Sequence, residues 1–133
     1  MFVTPLYAGL LALWFVVLSA RVINLRRRGI PFGDKGDPAM TRIVRAQANF
    51  AEYVPLALLM LGFLEVGRHS IYVLHALGIV LLVGRLLHGF ALSFGWSMRF
   101  GRVAGIALTF FVLVVEAVLC IEQGLRGQAL WGR

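Results

Sequence analysis

Charge is scarce in this chain. Of its 133 residues 14% are charged and only 6 are acidic, too few to build the solvated shell that a water-soluble domain of this length needs around one core. With 60% hydrophobic residues and a mean hydropathy of +0.86, the surface is expected to meet a bilayer. Cysteine is nearly absent: Cys120 stands alone, so no internal disulfide can form and apolar packing is its expected role. With 3 histidines, and Cys120 near the other membrane face, no metal is implied. Residues 1–22 contain no acid, which argues against a small four-span drug exporter, whose proton coupling needs a buried acid in the first span.

Bases outnumber acids, 13 to 6, giving a net charge of +7 and a pI near 11.1. Their placement argues against nucleic acid as the partner: they sit in loops and at helix ends, 12 of the 13 are arginine, and they concentrate between Arg21 and Arg45. The excess reads as membrane topology plus an anionic site.

A helix needs about 20 largely apolar residues to cross the hydrocarbon, with its backbone groups satisfied internally. Four segments qualify, at about 2–22, 42–64, 71–92 and 102–122, within a single domain covering residues 1–133. The fold expected is all-α, a transmembrane four-helix bundle. The first segment has no basic residue before its apolar run, and that run exceeds the usual signal-peptide core of about 7 to 15 residues, so it is read as a retained span. Glycines and Pro38 break the link at 24–41, the link at 65–70 is a tight turn, and Trp96 in the third link suits a membrane interface. Arg26, Arg27, Arg28, Lys35, Arg42, Arg99 and Arg102 cluster at the first and third links, against Arg68, Arg126 and Arg133 elsewhere. The positive-inside rule then makes those two links cytoplasmic and both termini non-cytoplasmic, in a multi-pass protein of the cell's inner membrane.

That orientation gathers the polar residues at one level. Arg45, Asn49 and Glu52 follow at spacings of four and three, on one face of the second span. Arg85 and His88 close the third span from the same side, Arg102 opens the fourth, and Arg21 closes the first. For Arg21 and Arg42, snorkelling to the headgroups is the favoured reading. Asn49, Glu52, Arg85 and His88 lie deeper, where a charge costs about 2.5 to 3.5 kcal/mol, and that cost points to function more than to self-neutralising pairs. Pro55 frees the Ala51 carbonyl and bends the second span, a bend that either widens a pocket or is a plain packing kink. Gly101, Gly105 and Thr109 form a small-residue stripe for close helix packing. Glu65 is expected to reach the far interface, and Glu116 and Glu122 to make interhelical hydrogen bonds or meet the interface.

The run Arg45-Ala46-Gln47-Ala48-Asn49-Phe50-Ala51-Glu52-Tyr53-Val54-Pro55 resembles the second-helix signature of the membrane-associated proteins in eicosanoid and glutathione metabolism, the MAPEG family. Gly84-Arg85-Leu86-Leu87-His88, Gly33-Asp34-Lys35-Gly36 and Arg102-Val103-Ala104-Gly105 are similar to its bacterial branch. The resemblance implies a homotrimer with glutathione, the co-substrate, held between subunits near the cytoplasmic face, in the manner of microsomal glutathione transferase. It implies a glutathione-binding set of Arg45, Asn49, Glu52, Arg85 and His88. Arg102 is the implied catalytic residue, its guanidinium stabilising the thiolate that attacks a small hydrophobic electrophile or reduces a peroxide. Eicosanoid-making relatives carry an arginine where this chain has Ala48, a tyrosine where it has Leu92 and often an arginine where it has Asn24, which argues against prostaglandin or leukotriene synthesis. The alternative is a non-catalytic protein that binds lipid or amphiphile in the same cleft. Alkaline phosphatase fused to either terminus is expected to be active, and green fluorescent protein fused there to stay dark; bright terminal fluorescence contradicts the orientation.

Overall fold

The computed structural model describes residues 2–29, 33, 36–95 and 98–131; Asp34, Lys35, Trp96 and Arg133 lie outside the described residues. Four helices make up the fold: α1 (Val3–Arg26), α2 (Pro38–Val66), α3 (Ile71–Phe94) and α4 (Met98–Trp131), with no strand among the described residues. All four are long and apolar enough to cross a membrane. A helix satisfies its own backbone groups, and this is what apolar surroundings demand.

The helices outrun the apolar segments because helical hydrogen bonding does not stop where charge begins. At the start of α2 the Asp37 carboxylate accepts the Ala39 N–H at 2.7 Å and the Met40 N–H at 3.2 Å. Pro38 follows in the first turn, where no backbone donor is lost. The 34 residues of α4 make a rod of about 51 Å, well beyond the hydrocarbon thickness of about 30 Å. Charged residues return in its later turns, where Arg126 and Glu122 form an exposed ion pair.

Two helix ends are closed by side chains far away in sequence. Phe2 offers α1 no side-chain cap; instead the Glu65 carboxylate, from the end of α2, accepts the N–H groups of Val3 and of Thr4, the latter at 2.9 Å. Glu65 was expected only to reach the interface, and it does more, because the orphan donors of a first turn and the positive end of the helix dipole both favour an anion. The last turn of α3 has no basic residue. Arg21 of α1 serves it, donating from Nη2 to the Ser93 carbonyl at 2.8 Å and lying 4.5 Å from the centre of the Phe94 ring. A helix end and a ring therefore fix the head of Arg21, contacts that the snorkelling reading did not include.

Helices α2 and α3 each touch the other three, whereas α1 and α4 stand on the diagonal with no contact among the described residues. Small residues set the distances. A Cβ on Gly105 of α4 falls 2.6 Å from the Gly84 carbonyl oxygen and 2.8 Å from the His88 nitrogen of α3, so only glycine permits this approach. On the other side of α3, the Tyr7 ring lies over Gly78 and the Trp14 indole over Gly89, each closer than a methyl allows. Trp14 also donates from Nε1 to the Arg85 carbonyl at 3.2 Å, and the Tyr7 hydroxyl meets Nδ1 of His75 at 2.9 Å. Helix α2 runs unbroken through Pro55. That residue lines an apolar hollow of about 310 Å³ against α1, not the polar cleft described below.

Gly105→Ala drives a methyl into the backbone of α3 and is expected to destabilise the bundle by about 1 to 3 kcal/mol. Gly124→Ala, with nothing within 4 Å of the added carbon, is expected to be neutral or slightly stabilising. Thermal unfolding in detergent measures both, and equal melting temperatures for the two variants contradict the close approach.

Candidate functional site

A run of residues spaced by three, four and three on α2 puts Arg42, Arg45, Asn49 and Glu52 on one face. That face looks across to α4, where Arg102, Ile106 and Phe110 follow at spacings of four. His88 and Leu92 of α3 close the back. Together they enclose a cleft of about 750 Å³, a size usual for small-molecule sites, which run to roughly 300 to 1,000 Å³. One wall is polar and supplied by α2; the other, on α4, is apolar beyond Arg102.

Arg45, Asn49, Glu52, His88 and Arg102 all line this cleft, and Arg85 does not. Only 2% of Arg85 is exposed. Its Nη1 donates to Asn49 Oδ1 at 2.9 Å and its Nη2 to the Gly105 carbonyl at 3.4 Å. Arg85 thus stands one layer behind the lining, tying α3 to α2 and α4 and fixing the amide of Asn49. With its oxygen held by Arg85, the Asn49 amide has its NH₂ donors left for whatever enters.

Three guanidiniums line the cleft, from Arg42, Arg45 and Arg102, against the single carboxylate of Glu52. The excess of two positive charges favours an anionic guest, and the carboxylate can receive one cationic group. No ion pair joins Glu52 to Arg45 or Arg85 among the described residues. Arg42, read as a snorkelling residue, is a lining residue, and its place three before Arg45 was the available signal. Phe110 was also missed. It packs edge-on against Tyr53 with ring centres 5.3 Å apart, and its helical phase from Arg102 places it.

Comparison with known proteins decides the family. The MAPEG family profile matches residues 4–121. The chain belongs to the MAPEG family. It is similar to the inner membrane protein YecN of Escherichia coli K12, 32% identical over 117 residues that cover 85% of this chain and 86% of YecN. YecN of Escherichia coli O6:H1 matches to the same extent, 32% over 117 residues. No solved structure matches the chain.

One further ionisable group lies inside this MAPEG bundle, away from the cleft. Glu116 is wholly buried on α4, and neither carboxylate oxygen has a hydrogen-bond partner among the described residues. Neither expected role, interhelical hydrogen bonding or interfacial exposure, is seen for it among the described residues. One turn on, the Cys120 thiol points to the Met60 carbonyl at 3.7 Å, closing the side of α2. A buried polar group without a partner costs about 1 to 3 kcal/mol, so Glu116→Met is expected to raise the melting temperature. A fall of several degrees shows instead that the carboxyl is satisfied in the folded protein.

Proposed function

We propose that this MAPEG protein is a glutathione transferase or peroxidase of the inner membrane, acting on small hydrophobic electrophiles as a homotrimer. One observation carries the reading: a single cleft gathers three guanidiniums and one carboxylate, the complement of glutathione, which bears two carboxylates and one ammonium. Arg45 and Arg42 take the acids through forked hydrogen bonds, and Glu52 takes the amine. Asn49, oriented by Arg85, adds amide hydrogen bonds, and His88 closes the polar floor.

Arg102 stands where α4 begins, between the polar wall and the apolar one. A guanidinium beside the glutathione sulfur lowers the thiol pKa and raises the thiolate fraction. An electrophile entering from the lipid lies over Ile106 and Phe110. The thiolate forms the sulfur–carbon bond, the leaving group departs with its electron pair, and the thiol proton goes to water. With a peroxide as substrate, two glutathione molecules supply two electrons, giving the disulfide, an alcohol and water.

The trimer accounts for an exposed polar face. Arg45, Glu52 and Arg102 are exposed in the single chain, and Glu52 lies about 15 Å along α2 from Arg42, where the expected span opens. Charges at that depth are disfavoured against lipid, and neighbouring copies would cover them while completing the cleft. The arginine-rich first and third links support a cytoplasmic face at this end of the cleft, with both termini outside the cytoplasm. The name of YecN places that relative in the inner membrane, which supports the same membrane here.

A second reading, a non-catalytic binder of lipid or amphiphile in the same cleft, is favoured by Leu92, an apolar lining residue where eicosanoid-making relatives carry tyrosine. Glutathione titration of the detergent-purified protein, following thiolate absorbance and conjugation of a halonitroarene, separates the two. Under the transferase reading both signals appear, and Arg102→Ala lowers the conjugation rate by on the order of 10²-fold. Absence of both signals with the oligomer intact supports the binder.

A further inference from the structure

Beside the cleft, and sharing Arg42 and Leu92 with it, lies a second hollow of about 300 Å³. It is framed by the end of α1, the first turns of α2 and the end of α3. Arg21 and Arg42 are its two charged residues, and Leu25, Ile43, Leu92 and Phe94 form apolar walls. No carboxylate lines it among the described residues. We infer that this hollow binds the headgroup phosphate of an anionic phospholipid.

Depth is the first support. Arg21 lies about 27 Å along α1 from Val3, close to the roughly 30 Å of the hydrocarbon core, so its guanidinium sits at headgroup level. Arg26, Arg27 and Arg28 follow one to two turns on, adding positive potential where the acyl region ends. Preorganisation is the second support. The Ser93 carbonyl, at 2.8 Å from Nη2, and the Phe94 ring, at 4.5 Å from the guanidinium carbon, hold the fork in place before any ligand arrives.

The chemistry selects the guest. A planar carboxylate is satisfied by one guanidinium fork, whereas the tetrahedral phosphate can turn different oxygens toward arginines on two helices. The apolar walls suit glycerol and the first methylenes, which free phosphate lacks. No acid in the hollow can receive an ammonium, so a headgroup without a cation is preferred over a zwitterionic one.

The test is native mass spectrometry and thermal unfolding of the detergent-purified protein with phosphatidylglycerol, phosphatidylcholine or inorganic phosphate as probe. The wild type is expected to retain phosphatidylglycerol and to be stabilised by it, more than by phosphatidylcholine. Inorganic phosphate should neither stabilise the protein nor displace the lipid. Arg21→Gln should weaken phosphatidylglycerol retention by roughly tenfold or more, the effect of losing a charge-assisted hydrogen bond. Because Arg21 also closes α3, Leu25→Trp provides an independent variant that fills the hollow and leaves both arginines in place; it too should lose the lipid. Arg68→Gln, at the opposite end of the bundle, should retain it. Equal retention of the two lipids, or unchanged retention by a folded Arg21→Gln or Leu25→Trp, overturns the inference. Displacement by inorganic phosphate overturns the lipid as the source of the phosphate.

Discussion

A guanidinium inside a lipid-covered bundle has no bulk water to solvate it, so its hydrogens must find oxygen from the protein. Arg85 imposes that constraint here. Its two terminal nitrogens reach the Asn49 side chain of α2 and the Gly105 carbonyl of α4, and its own carbonyl accepts from Trp14 of α1. One residue of α3 therefore bonds to all three other helices. Its Nε finds no partner among the described residues, so the satisfaction is incomplete and the residue remains expensive to bury.

What Arg85 secures is the position of other groups. Gly84 and Gly105 let α3 and α4 approach until Cβ atoms no longer fit between them, and that approach brings the Gly105 carbonyl within reach of the guanidinium and His88 alongside the opening of α4. On the far side a second bond, from Nη1, fixes the Asn49 amide in the cleft wall. The polar cleft between α2 and α4 thus rests on a layer of backbone contacts that tolerates little enlargement. Its proposed use, holding a zwitterionic thiol against Arg102 while an apolar substrate arrives from the lipid, needs this fixed geometry more than it needs mobile parts.

Much of this was legible in the sequence, and the exceptions share a cause. Hydropathy marked four helices because a membrane forces apolar residues into unbroken runs, and helical spacing put Arg45, Asn49 and Glu52 on one face. The glycine stripe through Gly105 announced a close contact without naming its partner. Arg85 and His88 both belong to the glutathione-binding set that the resemblance implies, yet three residues leave about 60° between them. In a four-helix bundle that angle separates a side chain turned toward α2 and α4 from one that lines the cleft. Glu65 on the first turn of α1 and Arg21 on the end of α3 could not be read at all, since each pairs with backbone at least 61 positions away. Glu116 gave no warning either, because its burial depends on which face of α4 meets the bundle.

The central claim is that Arg85 is retained to position the site, more than to stabilise the fold. Thermal unfolding of the wild type and of Arg85→Met, each with and without glutathione, tests it most directly. An apolar side chain of similar length in place of a buried charge is often neutral or stabilising, so the melting temperature should hold or rise while the stabilisation by glutathione expected of the wild type disappears. A lower melting temperature with that stabilisation undiminished contradicts the claim.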